Sequence, residues 1–225
     1  MIDALRNSSA HVFVESVQAP ALHDEDAHHL SRVLRLRDGE PVTCSNGQGS
    51  WVSCIWNSGA VEVSGEIVVV EPSNPALTIA IAPVKGDRTD LVIEKVVEIG
   101  IDHIIVLSPV ERSVVRWAAN KVPQVMDRYT RIARAAAMQS RRVFLPTVSG
   151  PVSLANVTGQ GVAFAEPGGL ASPETVTTLV VGPEGGFAPA EVASAPSLFD
   201  LGPSILRAET AAIVGAARMV AHWRR

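Results

Sequence analysis

The stretch Val180–Phe187, VVGPEGGF, ends an apolar run with three glycines and a proline around one glutamate. Two further runs end in the same manner, FAEPGG after Phe164 and LGPSILRAET after Asp200. Turns this poor in side chains can do mainly backbone chemistry. Glycine lets N–H and C=O groups approach a ligand closely, and proline fixes the turn that carries them. Beside the third turn stand Arg207 and Glu209, a planar guanidinium able to hold an anion and a carboxylate able to accept a proton. An acid at that place also suits the first turn of a helix, where it caps and meets the helix dipole. Any one such turn is ordinary in an α/β protein; three together point to one pocket.

The elements that must position these turns are legible as apolar runs. LTIAIAPV, HIIVLSPV, GVAFAE, TTLVVG and LFDLG read as strands. Between them lie helices at DRTDLVIEKVVEIGI, ending at Gly100, near QVMDRYTRIARAAAMQS, at APAEVAS and at ETAAIVGAARMVAHW. Continuous apolar strands alternating with helices predict a mostly parallel sheet in an α/β layer. On such sheets ligands sit beyond the carboxyl ends of the strands, where the three turns fall. The first 70 or so residues follow another grammar. HVFVESV, VTCSNGQGSWVSCIW and AVEVSGEIVVVE are short apolar runs divided by turn signals, as in a small antiparallel sheet or barrel, with SNGQGS as a hairpin turn. HDEDAHHLSRVLRLRDGE reads as one short helix between them, and EPSNPALT, with Pro72 and Pro75, as a linker. The expected division is 1–71 and 76–225.

Composition narrows the function. A chain of 225 residues, 47% hydrophobic, can bury a substantial core. No apolar run reaches the roughly 20 residues of a membrane span. The N-terminus MIDALRNSSA lacks a basic region followed by an apolar signal core, so the protein reads as cytoplasmic with no membrane partner. Cys44 and Cys54, the two cysteines, form no CxxC and predict buried free thiols rather than a disulfide framework or a metal site. Neither GxGxxG nor GxxxxGK[ST] is present where a dinucleotide or P-loop site needs it. The net charge of −4 conceals an asymmetry: residues 1–84 hold 4 arginines and 10 acids, residues 85–142 hold 11 Lys/Arg and 7 acids. Arg128, Arg131, Arg134, Arg141 and Arg142 fall in a stretch without an acid, the first three at helical spacing. Such a row is either a solvated helix face or a ridge that grips phosphates, and spacing alone leaves both open.

Several segments together resemble a known family. HHLSRVLRLRDGE at 28–40, KGDRTDLVIEKVVEIGI at 85–101, ER at 111–112, AAAMQSRR at 135–142, VGPEGG at 181–186 and LGPSILRAETA at 201–211 are similar to the small-subunit rRNA uracil-N3 methyltransferases, the ribosomal RNA small subunit methyltransferase E family of the SPOUT superfamily. The resemblance implies a PUA-like β-barrel followed by an α/β SPOUT domain with a trefoil knot, two subunits pairing across the knot, and S-adenosylmethionine held in the knotted loops. The residues so placed are Ala165, Glu166, Val181, Gly182, Gly185, Gly186, Leu201, Gly202, Ile205, Leu206 and Ala208. It implies a 16S rRNA substrate presented by the 30S subunit, and no metal. Methylation at N3 requires that nitrogen to lose its proton, so Glu209 is the candidate base and Arg207 the candidate stabiliser of the uracil anion.

RNA contacts are expected at Arg32 and Arg35 on the short helix and at Lys85, Arg88, Arg112, Arg141 and Arg142. Glu94, Lys95 and Glu98 read instead as a structural charge network. The chain departs from the family pattern at Ser204, where an arginine is expected, and at Ala10 and His11, near which another is expected. A SPOUT enzyme with another RNA target and a non-enzymatic RNA-binding assembly factor are the rival readings. Donor binding separates the second from an enzyme.

Overall fold

The computed structural model describes residues 3–224, which divide into two compact units, 3–72 with 137–145, and 73–136 with 146–224. In the first unit the order is α1 (Asp3–Asn7), β1 (Ala10–Phe13), α2 (Asp24–His28), β2 (Pro41–Ser45), β3 (Ser50–Asn57) and β4 (Ala60–Val69). The strands form one sheet in the order β1-β2-β3-β4. The pairs β2–β3 and β3–β4 are antiparallel, as the alternating pattern predicts, but β1 joins β2 in parallel. The chain between β1 and β2 is long enough to return to the same end, partly as α2 and a following π-helical turn, His29–Val33. Val12, Val42, Cys44, Val52, Cys54 and Trp56 build this unit's core, with Leu30 packed into it from the π-helical turn. Both cysteines are buried and free.

The second unit runs β5 (Thr78–Ile81), α3 (Arg88–Ile99), β6 (His103–Leu107), α4 (Val122–Gln139, whose last residues count with the first unit), β7 (Thr147–Val152), β8 (Val162–Leu170), β9 (Thr178–Val181), α5 (Pro189–Ala193), β10 (Leu198–Phe199) and α6 (Ala208–Trp223). Its sheet is parallel throughout, in the order β10-β8-β9-β5-β6-β7. The central strands are apolar on both faces because both are covered: Ile79, Ala80, Ile81, Leu179 and Val180 are fully buried. α3 ends as its sequence predicts, at Gly100 with φ +121°, a conformation that favours glycine. α6 lies close on the sheet because Gly215 has no side chain; a Cβ there would stand 2.1 Å from the buried Leu179 Cδ2.

Candidate functional site

The strand order decides where the three glycine turns meet. β8 lies between β10 and β9, so their carboxyl ends are neighbours although 29 residues separate the ends of β8 (Leu170) and β10 (Phe199) in the chain. FAEPGG, expected to be a turn, instead continues as strand within β8, with an irregular register against β10. It and the segments after β9 and β10 line one cavity of about 300 Å³, contributed from β8 by Ala165, Glu166 and Pro167, from the turn after β9 by Val181–Gly186, and from the segment after β10 by Asp200–Gly202, Ser204–Leu206, Ala208 and Ala211. The structure brings together there Ala165, Glu166, Val181, Gly182, Gly185, Gly186, Leu201, Gly202, Ile205, Leu206 and Ala208, every residue placed in a ligand pocket from sequence.

Hydrogen bonds hold each wall. Asp200 receives the N–H of Gly202 at 2.8 Å on one oxygen and that of Gly168 at 3.0 Å on the other, which pulls its carboxyl below the usual range. Through that one side chain the end of β8 and the segment after β10 are tied together. Glu184 accepts the Lys85 N–H at 2.8 Å, joining the β9 turn to the loop before α3, and Arg112 Nη1 donates to the Gly185 carbonyl at 3.2 Å. A Cβ at Gly185 would come 3.2 Å from that of Arg112, and one at Gly182 3.1 Å from the Phe187 ring. Glu166 faces the opposite balance: burial raises its pKa, opposed by a bond from the Phe187 backbone and by the Arg112 charge. Glu184 and Asp200 were not singled out from sequence, although Glu184 stands inside VGPEGG and Asp200 directly before LGPSILRAETA; nothing in their spacing says that backbone N–H groups would seek them.

Arg207 and Glu209 stand at the start of α6, next to the cavity but not in its lining. Arg207 is the exposed N-cap residue. Glu209 is buried, its Oε1 lies 3.7 Å from Arg88 Nη1, and its buried Oε2 has no hydrogen-bond partner. Arg32, Arg35, Lys85 and Arg112 are exposed. Arg141 is placed differently: at φ +58° its guanidinium turns back to donate to the carbonyls of Ser8 (2.9 Å), Ser9 (3.3 Å) and Met138 (3.1 Å). Arg142, half-buried beside it, offers its carbonyl to His11 Nε2 at 2.9 Å. Arg128 pairs with Asp90, and Lys95 bridges Glu94 and Glu98 as the structural network expected of them.

Residues 71–220 match the RNA methyltransferase domain family, and residues 22–55 match the RNA methyltransferase PUA domain. A ribosomal RNA small subunit methyltransferase E from Synechocystis is 30% identical over 224 residues, covering 85% of this chain and 69% of that protein. This chain belongs to the ribosomal RNA small subunit methyltransferase E family. A member from Mycobacterium bovis is 29% identical, with 84% of this chain and 81% of that protein covered. Among solved structures, a putative methyltransferase from Legionella pneumophila in complex with the cofactor SAM superposes with a TM-score of 0.78 at 26% identity, over 94% of this chain and 97% of that one. Family membership gives the cavity its context: the three turns that line it, FAEP, VGPEGG and DLGPSILRA, all lie inside the matched methyltransferase domain. Among the described residues no helix is long and apolar enough to cross a membrane.

Proposed function

We propose that this chain transfers a methyl group from S-adenosylmethionine to N3 of a uridine in 16S ribosomal RNA, acting in the cytoplasm on the assembled or partly assembled 30S subunit. The observation that carries the reading is the cavity onto which three side-chain-poor segments, the end of β8 and the stretches after β9 and β10, converge in a chain of this family. The cavity fits the donor in its size and in its walls. Gly202 (φ +138°) and Gly186 (φ +69°) have no atom within 4 Å of where a Cβ would stand, so the main chain is open to a ligand there. Val181, Leu201, Ile205 and Leu206 offer apolar surface beside the carboxylates of Glu166, Glu184 and Asp200, as suits a ligand with an aromatic base, ribose hydroxyls and an amino group. Ala165, Glu166, Val181, Gly182, Gly185, Gly186, Leu201, Gly202, Ile205, Leu206 and Ala208 are the residues that would hold it. When bound, the donor supplies an electrophilic methyl group.

The remaining task belongs to the chain's own side chains. Uracil N3 holds its proton above neutral pH, so a base must take that proton or a cation must steady the anion as it forms. In our reading the Glu209 carboxylate receives the proton, leaving the electron pair on N3, and the Arg207 guanidinium faces the charge that develops on O2 and O4. Arg32, Arg35, Lys85 and Arg112 are exposed cations suited to phosphates, and Arg142, half-buried, belongs to the same proposed set. Arg88 and Arg141 already hold partners. The fold reading that accompanies this function is a PUA-like barrel over 1–71 and a SPOUT domain with a trefoil knot over 76–225.

A homodimer belongs to the same proposal. Ala212 and Ala216 of the small-residue face of α6 are covered within the chain, whereas Ala217 is exposed, and Ile205 on the cavity rim is 97% exposed. A second copy covering Ile205 would remove that apolar surface from water. The test is mass mapping of rRNA nucleosides from a strain lacking the gene, with methylation assays on free 16S rRNA and on 30S particles from that strain and the enzyme's mass measured by light scattering. Loss of one N3-methyluridine, restored on particles by a dimer, is expected; an unchanged nucleoside map refutes the assignment. Absence of donor binding in isothermal titration would return the chain to the assembly-factor reading.

A further inference from the structure

Glu191, half-buried on α5, is bonded to two distant parts of the chain. Its Oε2 accepts the Ala188 N–H at 2.8 Å, and its Oε1 accepts the Glu111 N–H at 2.9 Å. The first bond is ordinary, since Ala188 is the N-cap of α5 and a glutamate at the third helical position commonly reaches back to that group. The second is not, because Glu111 lies 80 residues away in the loop that follows β6. β5 stands between β6 and β9, so this loop crosses the end of β5 to reach the turn after β9. It does so from a fixed base. Val110 and Ser113 are buried, and the Val110 N–H donates to Ser113 Oγ while the Ser113 N–H donates to the Val110 carbonyl, each at 3.0 Å.

What the loop grips is the back of the cavity wall. Arg112 donates to the Gly185 carbonyl, and Glu111 holds Ala188 through the Glu191 carboxylate. Between these two ties lies Phe187, buried, with its ring 3.1 Å from where a Gly182 Cβ would stand and its N–H bonded to the Glu166 carboxylate. Gly182, Gly185 and Glu166 line the cavity, whereas Glu191 stands behind it.

We propose that Glu191 is a positioning residue for the methyl donor: by joining Glu111 to Ala188 it holds the turn after β9, from Gly182 to Phe187, in the shape that the donor meets. This rests on the reading of the cavity as the donor site. Glu191 acts through the main chain that it ties and touches no ligand itself. A carboxylate suits the task because its two oxygens accept from two backbone N–H groups at once, in charge-assisted bonds stronger than neutral ones. A glutamine has one oxygen to offer and an amide nitrogen that cannot accept, so it keeps one tie and loses the other.

The experiment is isothermal titration of the full chain with S-adenosylmethionine, read for both affinity and number of sites, beside urea unfolding and single-turnover methylation of 30S particles from a gene-deleted strain. The proteins compared are wild type, Glu191→Gln, Glu191→Ala and Pro189→Gly, the last loosening the first turn of α5 while leaving both Glu191 bonds in place. Glu191→Ala should weaken donor affinity about tenfold, the equivalent of one charge-assisted hydrogen bond, with the number of sites per chain kept. Glu191→Gln should fall between it and wild type. In both, the methylation rate at saturating donor should drop far less than the affinity. Pro189→Gly should unfold at lower urea yet bind the donor as wild type does. Wild-type affinity in Glu191→Ala overturns the proposal. So does a loss of sites at unchanged affinity, which would mark a folding role alone, and so does an equal weakening in Pro189→Gly, which would assign the effect to α5 rather than to the tie with Glu111. If the wild-type chain takes up no donor, the reading of the cavity fails instead.

Discussion

His11 stands near a position where the family pattern leads one to expect an arginine, and its burial makes a quantitative prediction. The ring is 2% exposed, between the Thr43 hydroxyl, 2.8 Å from Nδ1, and the Arg142 carbonyl, 2.9 Å from Nε2. A carbonyl can only accept, so Nε2 carries the proton and Nδ1 accepts from Thr43. Protonating Nδ1 would reverse that bond and place a cation in a dry site near the Arg141 guanidinium. Burial, reinforced by that charge and opposed by the bond to Arg142, lowers the ring's pKa from 6.5 to about 4. Between these values the unfolded chain binds a proton that the folded chain refuses. Stability contributed by neutral His11 is therefore full above pH 6.5 and falls as the pH drops toward 4. Integrating the linkage relation with these two values gives a loss of about 2 kcal/mol between pH 7.5 and 5. The assay is urea unfolding followed by emission of Trp51 and Trp56, both buried in the first unit, with Trp117 and Trp223 changed to Phe in a common background. His11→Gln keeps a polar side chain at the site but cannot titrate, so it should be less stable at pH 7.5 and lose about 2 kcal/mol less on acidification. Parallel pH curves for the two proteins, or an NMR titration of the His11 ring near 6.5, would refute the reasoning.

Four other outcomes follow from the structure. Gly202→Val forces a side chain to φ +138° and Gly182→Val drives a Cβ to within 3.1 Å of Phe187, so each should weaken donor binding at least about tenfold in isothermal titration while far-UV dichroism stays native. Arg141→Ala removes donors from four main-chain carbonyls and should cost about 2 kcal/mol in urea unfolding, without changing the salt slope of RNA binding. Arg32→Ala with Arg35→Ala should instead reduce that slope by about 0.7 to 0.9 per lost phosphate contact and leave stability unaltered. Gly215→Ala should lower stability by about 1–3 kcal/mol despite its better helix propensity, because Leu179, which it would meet at 2.1 Å, is fully buried and has no room to yield.

The parallel sheet and the pocket were legible in the sequence for a common reason. Strands covered on both faces need unbroken apolar runs, and turns that present main chain need glycine and proline, so both leave local signals. β7 left none. Its sequence, TVSGPV, mixes polar residues with Gly150 and Pro151, and it pairs only with β6 at the edge of the sheet, where no second neighbour demands an apolar run. Nor did the parallel pairing of β1 announce itself, since its four residues, Ala10–Phe13, are all buried and so short a run carries no mark of direction. Attachment of residues 137–145 to the first unit depends on bonds between segments about 100 residues apart, such as Gly49 N–H to the Val143 carbonyl and Leu145 N–H to the Gly47 carbonyl.

The basic stretch 128–142 shows why charge density is a weak guide to binding. Five arginines without an intervening acid read as one ridge, yet the acid that neutralises Arg128 comes from Asp90 on α3, and the acceptors that occupy Arg141 are carbonyls near β1. A guanidinium offers five N–H donors and can satisfy them on backbone oxygen as well as on phosphate. What separates the two fates is the local conformation. Arg141, at φ +58°, reverses the chain directly after α4 and so points its side chain back at its own unit, whereas Arg131, within the regular helix, projects outward and stays exposed. Availability to RNA therefore follows from where each arginine's backbone aims it, a property that spacing along one helix does not encode.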